Sequence, residues 1–437
     1  MSRDMRTLTR EKPEPGEAAT PLPPLHREIR ERPPDEDHCR ARAPRIVHMS
    51  SVHVAHDNRI LLKECASLAA AGHETVLIVP HGVEGHAHGV RVSIVRPAKG
   101  GRPARLTGTA WRVFRAALAE RADLYHLHVP ELLPWGLVLR LVTRRPVIFD
   151  VHEDFSTALH VAPYLPRGIG RLAGPLYRLA ERLAVRGLSA VVIAERYYAR
   201  WLPGAVPVLN YPRRDAFAGI EASMPQGGRQ PPPHPRLLYT GNLSADRGAL
   251  GLAALAAALP EGGALHCLGR CPPDLAAAMR RHCPDPHRLV MEGVGAPLPF
   301  ERILEAYGQA WTAGLALFED TPHSREKEVT KIFEYMAAGL PVVASGFPVW
   351  RELVEGNEVG LCVTPGDTPA AQAAVARLAA DPALAGAMGE RGRRLVRERY
   401  NWESQAANLL SLYERLLADR QALRPRQSYP LLQPTRS

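Results

Sequence analysis

The chain has 437 residues and a formal net charge of +10, much of it from arginine spread through an Ala- and Leu-rich background. That length is too great for one ordinary core and suits two domains of about 150 to 200 residues each, with a cleft between them. The positive charge favours anionic partners, namely nucleotide phosphates, acidic lipid headgroups or nucleic acid. Because no zinc finger, aromatic RNA-binding signature or dense Lys/Arg block accompanies the charge, we expect no nucleic-acid partner.

Cysteine usage and hydropathy exclude further classes of protein. Six cysteines in a chain this long do not make a disulfide scaffold. The tightest group, Cys267, Cys271 and Cys283, lacks a paired C-x2-C knuckle, and Cys267 lies in an apolar run typical of a buried strand, so no metal site is predicted. The sequence has no run of about 18 apolar residues, and its N-terminus lacks the apolar segment of a signal peptide. We therefore expect a cytoplasmic protein that needs no metal or other cofactor.

The N-terminal part of the chain divides into a tail and a first domain. Residues 1–43 are rich in Pro, Arg and Glu and have almost no periodic apolar pattern, which predicts a disordered tail. From Arg45, helical stretches alternate with short β-rich runs: RIVHMS, TVLIVP, VRVSIV, LYHLH, PVIFDVH and SAVVIA. This alternation predicts βαβ units and a parallel sheet in a domain over 44–215.

The alternation restarts after a tract rich in glycine and proline. GGRQPPPHP suits an exposed linker, predicted over 216–235. RLLYTG, ALHCLG, RLVMEG, TAGLALF and PVVASG then alternate with helical stretches, which predicts a second Rossmann-like domain over 236–395. WESQAANLLSLYERLLADR has the apolar period of a helix with one buried face, so a crossover helix is predicted over 396–420, with a tail over 421–437.

The segment Ser324–Ser345, SREKEVTKIFEYMAAGLPVVAS, is the most informative part of the sequence. Thr330 is the predicted N-cap and Gly339 the predicted C-terminal stop of a short helix. Lys331 lies in the first turn, where the macrodipole disfavours a cation, and such an arrangement is typical of a diphosphate site. The alternative is a solvated surface lysine. Glu334 is either a favourable first-turn carboxylate or an acceptor of hydrogen bonds from ribose hydroxyls.

A second phosphate-type element is RLLYTGNLSADRGAL. A strand that ends at Gly241, followed by a short polar loop and a helix, is the geometry in which backbone N–H groups approach phosphate. One such turn is a weak signal. Two phosphate-type elements in one Rossmann-like half make a strong one.

TKIFEYMAAGLPVVAS resembles the signature of family-4 retaining glycosyltransferases, particularly those of bacterial surface-polysaccharide assembly. The resemblance implies a GT-B fold, in which two Rossmann-like domains face a central cleft and the C-terminal helix packs back on the N-terminal domain. The family has two glutamates separated by seven residues, as are Glu326 and Glu334. By resemblance, Glu334 binds the donor ribose and Lys331 the diphosphate, while Glu326 binds hydroxyls of the transferred sugar.

Two departures from the family pattern affect these assignments. The family follows its first glutamate with a Gly-Phe-Gly-like turn, but Lys327-Glu328-Val329 stands here, so Glu328 or a neighbouring backbone group is an alternative to Glu326. The family also has a basic pair around the Gly241 turn. Arg247 keeps the second member, whereas Asn242 replaces the first. The donor site implied by the resemblance comprises Gly241, Asn242, Arg247, Glu326, Lys331 and Glu334.

Histidines mark the ends of two strands in the N-terminal half. His126 and His128 share one face of their strand, at the end where open α/β sheets bind ligands. His126 is equally well explained as a core histidine. By resemblance, His128 contacts the transferred sugar near the reaction centre, and it joins Glu326, Arg247 and Lys331 as a predicted catalytic residue.

Acceptor binding is assigned to the same edge of the N-terminal sheet. PVIFDVHEDFS supplies His152 and Asp154, and similar sequences in the family carry the same Asp-x-His-Glu-Asp run. SSVHVAHDNR supplies His53, while the nearby Asp57 is alternatively a helix cap. His53, His152 and Asp154 are therefore the predicted acceptor-binding residues.

One helical stretch, RLAGPLYRLAERLAVRG, bears on partners. Four leucines share one face and three arginines flank it: Leu172, Leu176, Leu179 and Leu183, with Arg171, Arg178 and Arg182. Two interpretations stay open, a basic amphipathic contact with the cytoplasmic membrane surface and an ordinary core-facing helix.

The residues and the resemblance together predict a glycosyltransferase that moves a sugar from a nucleotide-sugar donor to a glycan or lipid-linked acceptor. The nucleotide sugar is a co-substrate, held mainly by the C-terminal domain. Retention of anomeric configuration is implied by the family, and no carboxylate is clearly placed as a nucleophile, which favours a front-face route. The alternatives are a nucleotide-sugar epimerase of the same fold and a catalytically silent sugar-nucleotide-binding protein.

Overall fold

The computed structural model describes residues 42–160, 167–224, 232–322 and 324–422. The tails predicted over 1–43 and 421–437 lie almost wholly outside these ranges, as does the part of the predicted linker over 225–231.

The first half of the described chain is built on an eight-stranded sheet. Its strands are β1 Arg45–Met49, β2 Glu74–Val79, β3 Gly85–Ala87, β4 Val90–Ile94, β5 Leu124–Leu127, β6 Val147–Val151, β7 Ala190–Ile193 and β8 Val206–Pro207. Its helices are α1 Ala66–Ala70, α2 Gly101–Ala104, α3 Ala110–Ala119, α4 Leu133–Thr143, α5 Phe155–His160 and α6 Arg167–Val185. π-Helical turns, Ile60–Cys65 and Arg105–Thr109, precede α1 and α3, and 3-10 turns occupy Pro130–Leu132 and Arg196–Arg200.

The second half is built on a six-stranded sheet. Its strands are β9 Arg236–Thr240, β10 Ala264–Cys271, β11 Leu289–Val294, β12 Ala313–Ala316, β13 Val342–Ser345 and β14 Gly360–Val363. The helices are α7 Arg214–Ala222, α8 Ala249–Ala257, α9 Pro273–His282, α10 Phe300–Tyr307, α11 Thr330–Ala337, α12 Pro348–Val354, α13 Thr368–Ala380, α14 Pro382–Glu398 and α15 Trp402–Ala422.

Both sheets have doubly wound topology. The strand orders are β3-β4-β2-β1-β5-β6-β7-β8 and β11-β10-β9-β12-β13-β14, and every neighbouring pair is parallel except β3 with β4. The central strands are buried along nearly their whole length, as expected when helices cover both faces of a parallel sheet. The prediction of two Rossmann-like α/β halves is confirmed.

The order of strands predicts where ligands bind. In each sheet the direction of winding reverses at one point, between β1 and β5 in the first and between β9 and β12 in the second. Loops that leave the carboxyl ends of adjacent strands diverge at such a point and open a crevice. The loops after β1, β5, β9 and β12 carry several of the predicted site residues, while His152 and Asp154 follow β6 and Lys331 and Glu334 are on α11.

The tract predicted as a linker is partly a helix. α7 begins at Arg214, and its Phe217 and Ile220 are buried in a core cluster of the second half. The ring of Phe217 lies 5.5 Å from that of Tyr307. The prediction of an exposed connection from residue 216 is therefore wrong over α7, because its apolar face packs on α10.

The C-terminal helix returns to the first half, as predicted. α15 places Trp402, Leu409 and Tyr413 in the same buried cluster as Ile46 of β1. The Trp402 indole also donates a hydrogen bond to Ser67 Oγ at 2.9 Å. The last helix in sequence is thus part of the core of the N-terminal half.

Candidate active site

Helix α11 forms one wall of the site. Its N-cap is Val329 in extended conformation, with no side-chain cap, so the prediction that Thr330 caps it is wrong and Thr330 is its first residue. The helix ends as predicted: Gly339 has φ +70°, and the N–H of Leu340 donates to the carbonyl of Tyr335. This is the Schellman arrangement that glycine permits.

Lys331 lies in the first turn of α11 and is 8% exposed. Its Nζ lies 3.5 Å from the ring centroid of Tyr239 and, within the described part of the chain, has no hydrogen-bond partner. Burial lowers the pKa of Lys331 well below its usual value, and the nearby charge of Arg247 lowers this pKa further. The amine is therefore held where an anion would be strongly favoured.

The turn after β9 faces Lys331. Gly241 has φ +94°, and a Cβ atom built there would lie 3.9 Å from Lys331 Cε. Arg247 is anchored to this turn, because its Nη1 donates to the carbonyl of Asn242 at 3.1 Å. Gly248 then starts α8 with φ +72°, and a Cβ there would lie 2.1 Å from the carbonyl oxygen of Leu317, so only glycine fits.

Glu334 lies one turn after Lys331 and is partly buried. The Tyr307 hydroxyl donates to its Oε2 at 2.8 Å. Burial raises the pKa of the Glu334 carboxyl, while the Tyr307 hydrogen bond and the charges of Lys63 and Lys331 act in the opposite direction. The carboxylate is thus oriented by a neighbour and set close to two amines.

A cavity of about 260 Å³ brings these groups together. Its lining includes Gly241, Arg247, Glu328, Lys331 and Glu334 from the second half and Glu195 from the first. The structure therefore joins most of the predicted donor-site residues at one crevice between the two sheets.

Glu326 lies elsewhere. It lines a neighbouring cavity of about 550 Å³, and its Oε1 accepts a hydrogen bond from Arg200 Nη1 at 2.8 Å. Glu328 lines both cavities, and its Oε1 accepts from Arg196 Nη1 at 2.5 Å. The placement differs from that implied by the resemblance, because the segment Lys327–Val329 lacks the glycines of the family turn.

His128 is buried in the first half rather than on the wall of the cleft. It is 1% exposed. Its Nδ1 lies 3.2 Å from Asp150 Oδ2 and its Nε2 lies 2.9 Å from His48 Nδ1. Both ring nitrogens therefore have protein partners, and the prediction that His128 faces the transferred sugar does not match this position. His126 is a core histidine, bonded through Nδ1 to the Tyr413 hydroxyl at 2.6 Å.

The predicted acceptor residues separate into two kinds. His53 and His152 are half-buried neighbours, with 3.3 Å between their Nε2 atoms. Burial and the neighbouring His152 lower the pKa of His53 to about 4. Asp154 is buried, and its Oδ1 accepts from the backbone N–H of Ser156 at 3.1 Å at the start of α5. Its position is that of a helix cap, whereas the two histidines remain near the cleft.

Three site residues carry no sequence signal that the patterns above detect. Glu195, in the cavity of about 260 Å³, has a pKa raised to about 7 by burial. Tyr307 orients Glu334, as described above. Lys63 donates to Asn210 Oδ1 at 2.6 Å, and Asn210 Nδ2 donates to Thr330 Oγ1 at 3.4 Å, so the first half reaches the start of α11. None of these residues lies in a motif, and only the fold brings them to α11.

Two family models match the chain, one in each half. The Glycosyl transferase 4-like domain matches residues 58–207, and the Glycosyl transferases group 1 model matches residues 234–381. The chain belongs to the family-4-like GT-B glycosyltransferases. The boundary between the two matches falls at the junction of the two sheets.

Individual members of known function are distant from this GT-B chain. The lipopolysaccharide core biosynthesis mannosyltransferase LpcC of Rhizobium leguminosarum bv. viciae is 40% identical over 86 residues, which are 20% of this chain and only 24% of that protein. The phosphatidyl-myo-inositol mannosyltransferase of Mycolicibacterium smegmatis is 24% identical over 300 residues, 67% of this chain and 71% of that protein. Sucrose-phosphate synthase from Thermosynechococcus elongatus has the same fold, with a TM-score of 0.67 at 21% identity, over 86% of this chain and 100% of that one.

Proposed function

We propose that this chain transfers a sugar from a nucleoside diphosphate sugar to a glycan or lipid-linked acceptor. The observation that carries the proposal is Lys331, a buried amine without a hydrogen-bond partner among the described residues, at the N-terminal turn of α11. Burying a charged amine without a hydrogen-bond acceptor is costly, and the pKa of Lys331 stays well below its usual value despite the nearby Glu334 carboxylate, so the amine favours an additional counter-charge. A diphosphate bound between Lys331 and Arg247 supplies that counter-charge and also accepts hydrogen bonds from the backbone N–H groups of the helix terminus.

The ribose and the transferred sugar of the donor are assigned to residues that line the same cavity. Glu334 accepts hydrogen bonds from the two ribose hydroxyls, supported by its orientation by Tyr307. Glu328, rather than Glu326, faces the transferred sugar, because it lines the donor cavity and its Oε2 has no hydrogen-bond partner in the described chain. The relatives named as mannosyltransferases make a nucleoside diphosphate mannose the first donor to test.

Stabilisation of the leaving group dominates the proposed mechanism. Departure of a nucleoside diphosphate builds negative charge on phosphate, and preorganised cations meet that charge without a divalent ion. We expect Lys331→Ala and Arg247→Ala to lower turnover more than they weaken donor binding. Retention of anomeric configuration, by a front-face route, is proposed from the family resemblance.

Binding and turnover experiments distinguish this function from its alternatives. The full chain is incubated with nucleoside diphosphate sugars of different base and sugar, and donors that raise the melting temperature are selected. Those donors are then incubated with and without lipid-linked and glycan acceptors, and products are identified by mass spectrometry. Acceptor-dependent release of nucleoside diphosphate supports transfer. Conversion of the donor alone indicates an epimerase, and tight binding without turnover on any acceptor indicates a silent binding protein.

A surface of α6 supports a lipid-linked acceptor, and we propose that it contacts an anionic membrane. Four leucines on one face are strongly exposed: Leu172, Leu176, Leu179 and Leu183, at 68%, 64%, 55% and 55%. α4, which packs against α6, adds Leu141 and Val142 at 80% and 62% exposure. Four leucines exposed along one face of a single helix exceed the scattered apolar residues of an ordinary surface.

The arginines that flank the leucine stripe differ from the predicted arrangement. Arg178 stacks 4.3 Å from the ring of Trp201, and Arg182 donates to the Trp201 carbonyl at 2.8 Å. Both are therefore engaged with the protein, and the side chain of Arg171 lies outside the described part of the structure. The proposed interaction with lipid rests mainly on the leucines. No helix among the described residues is long and apolar enough to cross a bilayer.

Co-sedimentation with vesicles that contain anionic lipid tests the contact. We expect the wild-type chain to sediment with the vesicles and the double variant Leu176→Ser with Leu179→Ser to lose this binding. Equal sedimentation of the double variant would contradict it.

A further inference from the structure

A cluster of buried metal-ligating side chains lies beneath the cleft in the first half. His48 is on β1, Glu64 is in the π-helical turn before α1, His126 is on β5 and His128 directly follows β5. His48 and His126 are paired in the sheet register. All four side chains are at most 1% exposed.

One ring nitrogen of each histidine lies within 4.0 Å of Glu64 Oε2. His126 Nδ1 also lies 2.6 Å from the Tyr413 hydroxyl, which must turn away for this nitrogen to bind a metal. The Nδ1 atoms of His48 and His126 lie 3.9 and 3.6 Å from Glu64 Oε2, and His128 Nε2 lies 4.0 Å from the same oxygen. His48 Nδ1 and His128 Nε2 are 2.9 Å apart. Ligand atoms about 2.0 to 2.1 Å from a tetrahedral zinc ion are about 3.3 Å apart. The observed separations bracket that value, so small side-chain adjustments complete the polyhedron.

The buried carboxyl group of Glu64 lacks hydrogen-bond partners in this cluster. Neither oxygen of Glu64 has a hydrogen-bond partner among the described residues, although both are buried. Arg59 is the neighbouring cation, at 3.1 Å from Glu64 Oε1, but it also forms a bidentate pair with Asp150. One guanidinium thus faces two carboxylates.

The outer ring nitrogens have the partners that metal-bound histidines usually have. His128 Nδ1 lies 3.2 Å from Asp150 Oδ2, and His48 Nε2 lies 3.2 Å from the Tyr413 hydroxyl. A carboxylate or hydroxyl on the outer nitrogen fixes the tautomer and leaves the inner nitrogen free to bind. Two of the three histidines are therefore oriented toward Glu64 Oε2 from outside.

We propose that the three histidines and Glu64 bind one zinc ion. Three imidazole nitrogens and a carboxylate oxygen in tetrahedral geometry suit zinc better than magnesium or calcium. Because all four positions are filled by buried protein groups, the site is structural, with no open position for substrate. It joins β1, β5 and the turn before α1, and the loop that leaves β1 carries His53. The inference is independent of the proposed transferase activity.

Metal content of the wild-type chain tests the proposal directly. The full chain is expressed in zinc-supplemented medium, purified without chelator and passed through gel filtration, and we expect about one zinc ion per chain by mass spectrometry of elements. Expression in cobalt-supplemented minimal medium should give a protein with the visible absorption of tetrahedral Co²⁺. Absence of bound zinc together with absence of that absorption would overturn the site and leave Glu64 as a buried protonated carboxyl.

Substitution of the proposed ligands tests where the zinc ion binds. His126→Ala and Glu64→Gln should each lose at least tenfold in zinc affinity, in line with loss of a ligand. His152→Gln is the matched control, since it removes a histidine from the adjacent group of His128, Asp150 and His152. Zinc retained in both ligand variants, or lost only in His152→Gln, would contradict the assignment. If the ligand variants do not fold, the wild-type zinc content and cobalt spectrum still decide.

Discussion

Lys331 is buried, lies in the first turn of α11 and has no hydrogen-bond partner within the described chain. Each feature destabilises the charged amine, because low dielectric, the macrodipole and lack of an acceptor all favour the neutral form. A bound diphosphate reverses that preference by placing negative charge against the amine. Protonation of Lys331 should therefore be linked to donor binding.

We predict that nucleoside diphosphate binding takes up a proton at Lys331. Burial holds the pKa of the free amine well below its usual value, and the anion raises it. Between the two pKa values the free protein is neutral at this position and the complex is charged, so affinity falls as pH rises through that window. Calorimetry in two buffers with different ionisation enthalpies measures the uptake.

Lys331→Met provides the control for proton uptake. The variant keeps the length and apolar contacts of the side chain over Tyr239 but cannot be protonated. Proton uptake should vanish and affinity should fall. If the buffer dependence persists unchanged in Lys331→Met, another group takes up the proton.

Glu334→Gln should weaken donor binding by about 1.5 to 3 kcal/mol, the usual value of a hydrogen bond to a charged group. The amide keeps the shape of the side chain and loses the charge. Glu305→Gln, in the helix that ends at Tyr307, is a matched control because Glu305 is 70% exposed. An unchanged dissociation constant for the donor with a normal melting temperature would remove Glu334 from the site.

At the level of single residues, local sequence predicts only part of the site. Lys331 and Glu334 are predictable because a short helix between two loops fixes both at its first turns. Tyr307 and Lys63 are not, because they reach α11 from distant segments that only the tertiary fold brings together. Glu326 lies in a neighbouring cavity and not beside Lys331 and Glu334. Its position depends on the conformation of the loop before α11, which the spacing of residues alone does not determine.

At the level of elements, the turn between β9 and α8 depends on one glycine. Gly248 has φ +72°, and a Cβ would contact the Leu317 carbonyl oxygen at 2.1 Å. We predict that Gly248→Ala destabilises the fold by about 1 to 3 kcal/mol and displaces Arg247, because both strain and overlap must be relieved. Gly251→Ala in α8 is the control: nothing lies within 4 Å of its Cβ, and alanine should stabilise the helix by about 0.5 to 1 kcal/mol. Chemical denaturation of both variants tests the pair, and equal stabilities would contradict the prediction.

The elements themselves were largely predictable. Strands buried on both faces show as continuous apolar runs, which is why the eleven runs from RIVHMS to PVVASG all correspond to strands. The short strands β3 and β8, which lie within that span, were missed. β14, Gly360–Val363, was missed because it is a run of four residues beside a charged turn. α7 was assigned to a linker because the glycines and prolines after it dominate the composition, although Phe217 and Ile220 form a helical apolar pair.

At the level of the whole molecule, the two halves are joined by more than one connection. α15 follows the second half in sequence but contributes Leu409 and Tyr413 to the core of the first. Tyr413 also bonds His126 and His48 beneath the cleft. The stability of the first half therefore depends on α15.

Substitution of two leucines distinguishes the contribution of the core to stability from that of the α6 surface to vesicle binding. Leu409 is fully buried in α15, and Leu176 is 64% exposed on α6. We predict that Leu409→Ala destabilises the protein by about 2 to 5 kcal/mol, through lost burial and a residual cavity, and leaves vesicle binding by the folded molecules unchanged. Leu176→Ala should have the opposite effect, with vesicle binding weakened and the denaturation midpoint within about 0.5 kcal/mol of wild type. Denaturation and vesicle sedimentation on the same preparations measure both. Loss of stability in Leu176→Ala would show that its side chain packs against the protein, and full stability in Leu409→Ala would show that α15 does not support the first half.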